Sequence, residues 1–309
     1  MPIDRRQMML ASAAALGASV LPARAADQIK FATLGAMDFF APMLARDEGY
    51  FQKNGLDVDL TIATQAPSLL PAVVGGSLHF GVSTGIQVAI ANEAGLDVVF
   101  VSGAGMLTKN DVNTGLLVRA DSDLKTQADF VGKKVMVPGI NGTYYMLFLR
   151  WLKQGNIDPT KVQIVEGGFA QMPDLLRTKQ VDAVVNGEPF LSRMLDSGAF
   201  RKIEYFKPER DSYVTSFFIA KRSWVDEHRK ELDAVRASLR DAIAFSKKDP
   251  DAVRAAVAKD LKLPPEVTAK QKIMDWRVDL TPEDVQFWAD LALEFGLLKS
   301  RIDASKLIA

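Results

Sequence analysis

No cysteine occurs among the 309 residues, and histidine appears only twice, at His79 and His228. The first absence excludes disulfides, thiolate zinc sites, a cysteine nucleophile and the lipidated cysteine that tethers many exported proteins. The second leaves no pair of histidines to build a histidine-rich metal site. Neither lies near a nucleophile in a recognisable pattern. His79 sits inside an apolar strand, where a satisfied structural histidine is expected. His228 is surrounded by Glu227, Arg229 and Lys230 and reads as solvated surface. Charge of one sign is also lacking: 38 basic residues face 38 acidic ones without basic runs. That balance speaks against nucleic acid or an anionic membrane as partner. Gly75-Gly76 and Gly167-Gly168 lack the spacing and the lysine of a phosphate-cradling loop. No cofactor and no metal site is expected.

The N-terminus carries Arg5-Arg6, a weakly polar run from Met8 to Leu21, and Ala23-Arg24-Ala25. This is the charged, apolar and small-residue order of a secretory signal, expected over residues 1–25, and the paired arginines favour twin-arginine export. The run is shorter than the ~18–20 residues that span a bilayer. Removal would leave 309 − 25 = 284 residues, a length for one large or two medium domains. A diffusible, monomeric periplasmic protein is expected.

One strand–helix–strand unit occurs twice. Leu56–Ile62, Pro67–Leu70 and Leu78–Val82 are echoed by Val162–Val165, Pro173–Leu176 and Val181–Val185. Strands alternating with helices predict an α/β fold of two similar lobes, each a mostly parallel sheet flanked by helices, with a ligand cleft between them. The spacing Pro67–His79 against Pro173–Asp182 predicts a helix about one turn longer in the first copy. Gly115–Arg119 and Ser216–Ala220 are the natural crossover strands. They divide the chain into 26–117 (lobe one, first part), 118–217 (lobe two) and 218–309 (completion of lobe one and C-terminal helices). A helix stopped at Gly49 and a turn at Asn54-Gly55 follow the first strand. In the second lobe Tyr144, Leu147, Phe148, Trp151 and Leu152 share one helix face. Ser223–Asp226 and Thr281–Asp284 read as capping boxes, and Asp249-Pro250 starts a helix. Val285, Trp288, Ala289, Ala292 and Phe295 form a stripe of core packing.

Two loops at strand ends open helices with small polar residues: Ser83-Thr84-Gly85 and Asn141-Gly142-Thr143. Such N-termini suit a carboxylate, sulfonate or similar oxygen group, although ordinary capping uses the same residues. Phe39-Phe40, Tyr144-Tyr145 and Phe169 lie near these ends and could sandwich a planar or alkyl solute. Tyr144 also falls on the core face, which leaves Tyr145 as the alternative. Asp38 and Glu188 could take an amine or ring N–H, or cap backbone. The copies differ where they would face a ligand, with hydroxyl and N–H donors at Ser83-Thr84-Gly85 and an amide and a carboxylate at Asn186-Gly187-Glu188-Pro189.

Three segments together resemble the nitrate/sulfonate/taurine-type solute-binding proteins of ABC importers, a group that includes binders of thiamine-pyrimidine precursors. They are Ala45–Val58, Asp129–Val135 with Pro138-Gly139, and Leu175–Ala183 with Glu188-Pro189, within a likeness over about residues 28–235. The resemblance implies a periplasmic component that closes on a small organic solute, sulfonate- or carboxylate-bearing and aromatic or not, and delivers it to an inner-membrane permease. It places ligand contacts on Asp38, Phe39, Gln65, Ser83, Thr84, Asn141, Thr143, Phe169, Asn186 and Glu188. Gly142 and Tyr144 complete the candidate set. The alternatives are a pyrimidine or other nitrogen heterocycle as ligand, or an enzyme of the pyrimidine or menaquinone type on the same fold. The chain departs from the group at His79, where an acidic residue is usual. Gly35–Phe40 lacks the tryptophan and asparagines of the pyrimidine binders, and Asn141-Gly142-Thr143 replaces the serines of sulfonate binders.

Overall fold

The computed structural model describes residues 28–63, 65–109, 113–207, 210–269 and 271–309. The segment expected to be an export signal lies outside the described residues. The strands are β1 (Ile29–Leu34), β2 (Val58–Ala63), β3 (Gly81–Ser83), β4 (Val98–Gly103), β5 (Met106–Thr108) and β6 (Thr114–Arg119). They continue with β7 (Lys134–Val137), β8 (Gln163–Glu166), β9 (Ala183–Gly187), β10 (Phe200–Ile203), β11 (Ser212–Val214) and β12 (Phe217–Lys221). Several are apolar almost throughout: β4 is buried along its length, and β1 exposes only Lys30. Such continuous apolar runs arise when both faces of a sheet are covered by helices.

Two sheets share one strand order. In the second lobe it is β8-β7-β9-β6-β10. In the first, β2 pairs with β1, and a parallel bridge Phe31↔Phe80 joins that pair to β3-β12-β4. The Ala32 amide donates to the Phe80 carbonyl at 3.0 Å, and the Phe80 amide to that of Lys30 at 3.1 Å. Read from the outer edge, both lobes therefore run second, first, third, visiting strand, fourth. Pairing is parallel within each echoed unit, whereas the visiting strands β12 and β6 are antiparallel to both neighbours.

The echoed helices, Leu69–Val74 and Met172–Arg177, have six residues each. The extra turn expected in the first copy is instead connection: Gly75 ends the helix, Gly76 takes φ 77°, and four further residues precede β3. The crossover expectation is likewise corrected. Gly115–Arg119 lies inside the second sheet, between β9 and β10, and Ser216–Ala220 leads into the first sheet. The boundaries at 117/118 and 217/218 thus cut through strands. What runs between the sheets is the antiparallel pair β5–β11, with Met106 opposite Val214 and Thr108 opposite Ser212.

Gly49 ends the helix Ala41–Asp47 with φ 70°, and a further turn, Tyr50–Lys53, resumes after it. The helix Thr143–Gln154 buries all five residues of its expected face. At the C-terminus, Thr281 and Asp284 form the expected capping box of the helix Pro282–Glu294, and Asp249 caps the helix Pro250–Asp260. The Ser223 box does not form, because that helix begins at Arg222 after an uncapped Lys221. Val285, Trp288, Ala289 and Ala292 are buried, with Phe295 half-buried at the helix end. The Trp288 indole donates to the Val214 carbonyl at 2.7 Å. A Cβ at Gly85 would lie 2.6 Å from Trp288. Only glycine lets the helix Gly85–Glu93 approach this closely, so the C-terminal stripe fixes where that helix points.

Candidate functional site

Every parallel strand of the two echoed units ends at one cavity of about 640 Å³ between the lobes. From the first lobe come Gly35, Asp38 and Phe39 after β1, Gln65 and Ala66 after β2, and Ser83, Thr84 and Gln87 after β3. From the second come Gly142, Thr143 and Tyr144 after β7, Glu166 and Phe169 at the end of β8, and Phe190 beyond β9. Thr215 and Ser216 close the floor where the chain returns from β11. Open parallel sheets bind ligands at the carboxyl ends of their strands, because helix N-termini and non-repetitive loops gather there. The two helices entering the site, Gly85–Glu93 and Thr143–Gln154, bring their positive ends toward it.

Asp38 is the buried carboxylate of the site. It is 6% exposed, and burial pushes its pKa up to about 6, against the lowering effect of hydrogen bonds from the Tyr144 hydroxyl and from its own backbone amide. The Tyr144 hydroxyl, from the other lobe, donates to Oδ2 at 3.1 Å. The Thr215 hydroxyl stands 3.5 Å from Oδ1 but only 3.0 Å from the Gly105 carbonyl. It has one hydrogen to give, and the nearer acceptor takes it. Oδ1 thus faces an oxygen lone pair as much as a donor. Two glycines shape this pair: a Cβ at Gly105 would sit 2.8 Å from the Asp38 Cα, and one at Gly187 would sit 2.8 Å from the Tyr144 hydroxyl. Burial, with the Asp38 charge beside it, holds the Tyr144 pKa well above the ordinary phenol range.

Three further hydroxyls are committed as well, whereas that of Ser216 accepts the Gly105 amide at 2.9 Å. Ser83 donates to Gln87 Oε1 at 3.2 Å, Thr84 to the Asn141 carbonyl at 3.4 Å, and Thr143 to the Thr215 carbonyl. The expectation that the first lobe offers hydroxyl donors at Ser83 and Thr84 is therefore corrected: these oxygens present lone pairs, and donation falls to backbone N–H groups and the Gln65 and Gln87 amides. Among the described residues that line the cavity there is no lysine, arginine or histidine.

Nine of the twelve candidate residues line the cavity: Asp38, Phe39, Gln65, Ser83, Thr84, Gly142, Thr143, Tyr144 and Phe169. Asn141, Asn186 and Glu188 do not. Asn141 takes φ 59°, a left-handed turn that asparagine tolerates. Its carbonyl, the acceptor for Thr84, is one of the contacts across the cleft. Asn186 is fully buried beneath the site; its Oδ1 accepts the Gly187 amide at 2.8 Å, and its Nδ2 donates to the Phe169 carbonyl at 3.4 Å. Glu188 accepts from the Ser192 amide and hydroxyl at 3.2 and 2.6 Å, holding the first turn of the helix Phe190–Asp196. Of the aromatic alternatives, Tyr144 rather than Tyr145 reaches the cavity, and Phe40 is sealed in the core. Gln87, Glu166, Phe190, Thr215, Ser216 and Leu261 also line it and were not expected. Gln87 was within reach of sequence reasoning, one helical turn from Thr84. The others depend on which distant segments meet.

Neither histidine lines the cavity. His79 Nδ1 accepts the Lys30 amide at 3.2 Å, and its ring stacks on Trp224 with 5.3 Å between centroids. His228 stacks on the same indole at 4.6 Å and is half-buried rather than free in solvent.

Known proteins are similar to this chain in sequence and in structure. A protein of Escherichia coli (strain K12) assigned as an aliphatic sulfonates-binding protein is 28% identical over 251 residues, covering 78% of this chain and 76% of its own. The formylaminopyrimidine-binding protein of Halalkalibacterium halodurans is 29% identical over 204 residues, covering 64% and 59%. The alkanesulfonate-binding protein SsuA from Xanthomonas axonopodis pv. citri, bound to MOPS, superposes with a TM-score of 0.78 over 91% of this chain and 98% of that one, at 22% identity. The architecture is thus the periplasmic-binding-protein fold. No helix among the described residues is long and apolar enough to cross a membrane. Residues 36–253, more than half of the sequence, match the NMT1/THI5-like family, and the chain belongs to that family.

Proposed function

We propose that this chain is the periplasmic solute-binding component of an ABC importer. It captures a small organic solute bearing a sulfonate or carboxylate and presents it, unconverted, to an inner-membrane permease. The observation that carries this reading is the convergence of both lobes' strand ends and of two helix N-termini on one cavity. Backbone N–H groups at Gly85–Glu93 and Thr143–Gln154 would hold the anionic group. Phe39, Ile62, Phe169 and Leu261 would cover the body of the solute. The sequence relatives support the same class.

The lobes would pivot at β5 and β11, the only strands paired between the two sheets among the described residues. Contacts such as Met37 N–H to the Glu188 carbonyl, at 3.3 Å, would form and break with closure. Export by the twin-arginine route and a monomeric state complete the proposal. A thermal-shift panel of alkane- and arylsulfonates, aromatic carboxylates and pyrimidines tests it. Stabilisation by a sulfonate or carboxylate is expected, together with a smaller radius of gyration in solution scattering. Stabilisation by pyrimidines alone, or turnover of a bound compound, would overturn it.

A further inference from the structure

The polar inventory of the cavity is lopsided. It holds two carboxylates, Asp38 and Glu166, and among the described lining residues no cationic side chain. Of the six hydroxyls that line it, those of Ser83, Thr84, Thr143, Tyr144 and Thr215 direct their hydrogen to a protein acceptor, and that of Ser216 accepts the Gly105 amide. Glu166 is exposed and accepts the Ile140 amide at 3.0 Å, which leaves Asp38 as the buried carboxylate, held by the Tyr144 hydroxyl, its own backbone amide and a long Thr215 contact at 3.5 Å but by no cation among the described lining residues. A buried carboxylate with no cation nearby is destabilised until something supplies positive charge or a hydrogen. The space is also large. At roughly 30 Å³ per water, about 640 Å³ holds on the order of twenty waters. A compact oxyanion would leave most of them in place against the apolar walls.

From this geometry, and resting on the solute-binding reading above, we infer that the physiological solute carries a protonated amine or comparable N–H donor that docks on Asp38, separated from its anionic group by an apolar or aromatic body. Asp38 is then the specificity-determining residue of the site. It rejects donor-free analogues because they would bury its charge with neutral donors alone and no counter-charge. An unpaired polar group on the protein side discriminates far more strongly than a missing methylene does.

Matched pairs that differ only in the nitrogen test this: 4-methylbenzoate against 4-(aminomethyl)benzoate, and 4-ethylbenzenesulfonate against 4-(2-aminoethyl)benzenesulfonate. Each is titrated calorimetrically into the wild-type protein and Asp38→Asn at pH 7.5. The amine-bearing member should bind the wild type at least tenfold more tightly, and the gap should collapse in Asp38→Asn. A donor-free member that binds the wild type as well as its partner overturns this inference and leaves the solute-binding reading standing. Binding by no member of either pair overturns the anionic-solute reading and this one with it. The wild-type comparison decides between these outcomes even if the variant proves unstable.

Discussion

Replacing Asp38 by asparagine should stabilise the unliganded protein at neutral pH, although the residue is buried and hydrogen-bonded. Folding raises the carboxyl pKa from 3.8 to about 6. At about 1.36 kcal/mol per pH unit, that rise means the folded state holds the ionised form at a cost of roughly 3 kcal/mol. Below pH 3.8 both folded and unfolded chains carry the proton and the penalty is absent. Between 3.8 and about 6 the folded chain retains a proton that the unfolded chain has lost, so this contribution falls as pH rises. Above about 6 the penalty is complete. Asparagine never ionises. Its amide oxygen can accept from the Tyr144 hydroxyl, and its NH₂ can donate to the lone pair that Thr215 turns toward Oδ1. Chemical denaturation of the unliganded wild type and Asp38→Asn at pH 4 and pH 7.5 should show near-equal stability at the lower pH. At the higher pH the variant should gain roughly 3 kcal/mol, or roughly 6 °C in Tm for a chain of this size. The difference between the two proteins isolates this one group from other carboxylates, such as Asp279, whose pKa Arg240 lowers. A variant less stable at pH 7.5, or a difference that does not change with pH, would refute the reasoning.

Gly187→Ala pushes a methyl to within 2.8 Å of the Tyr144 hydroxyl; it should weaken binding of any solute that stabilises the wild type, read as a smaller thermal shift. Thr281→Ala removes half of a capping box far from the cavity and should cost about 1 kcal/mol in denaturant unfolding without altering solute affinity. Trp288→Ala empties a fully buried site against Gly85; a loss of about 3–5 kcal/mol is expected by the same measurement. His79→Ala and His228→Ala should leave solute binding unchanged in calorimetry but alter Trp224 fluorescence, because both rings stack on that indole.

What the sequence makes legible is what local pattern controls. The helix face from Tyr144 to Leu152, the cap at Thr84 and the echoed strand pairs all follow from spacing and residue type within a dozen positions. Nine candidate residues reach the cavity because they sit just beyond strand ends, a position that the α/β alternation already marks. Asn186 and Glu188 sit at an equivalent strand end but serve the backbone, and no sequence pattern separates an amide facing a ligand from one turned under it. Thr215, Ser216 and Leu261 meet the site only because the chain returns from the second lobe and then packs its C-terminal helices. The crossover was misplaced for a related reason. A strand in the middle of a sheet and one joining two lobes are equally apolar, and only their neighbours distinguish them.

The visiting strands have a consequence for the order in which the chain can acquire its structure. All five strands of the second sheet lie in one contiguous stretch, from Thr114 to Ile203. The first sheet is different: β3 and β4 do not pair with each other but with β12, which starts at Phe217. Until that residue is available, the middle of the first lobe is a gap with an unpaired edge on each side, although the strands beside it were made more than a hundred residues earlier. Closing so long a loop is slow, and open edges invite pairing with other chains. We therefore expect the later-synthesised lobe to mature first. Pulsed hydrogen exchange during refolding should show amides of β6 to β10 protected before those of β3 and β4; protection in the reverse order would contradict it. The earlier half of the chain then has to be kept from aggregating until the return strand arrives to complete it.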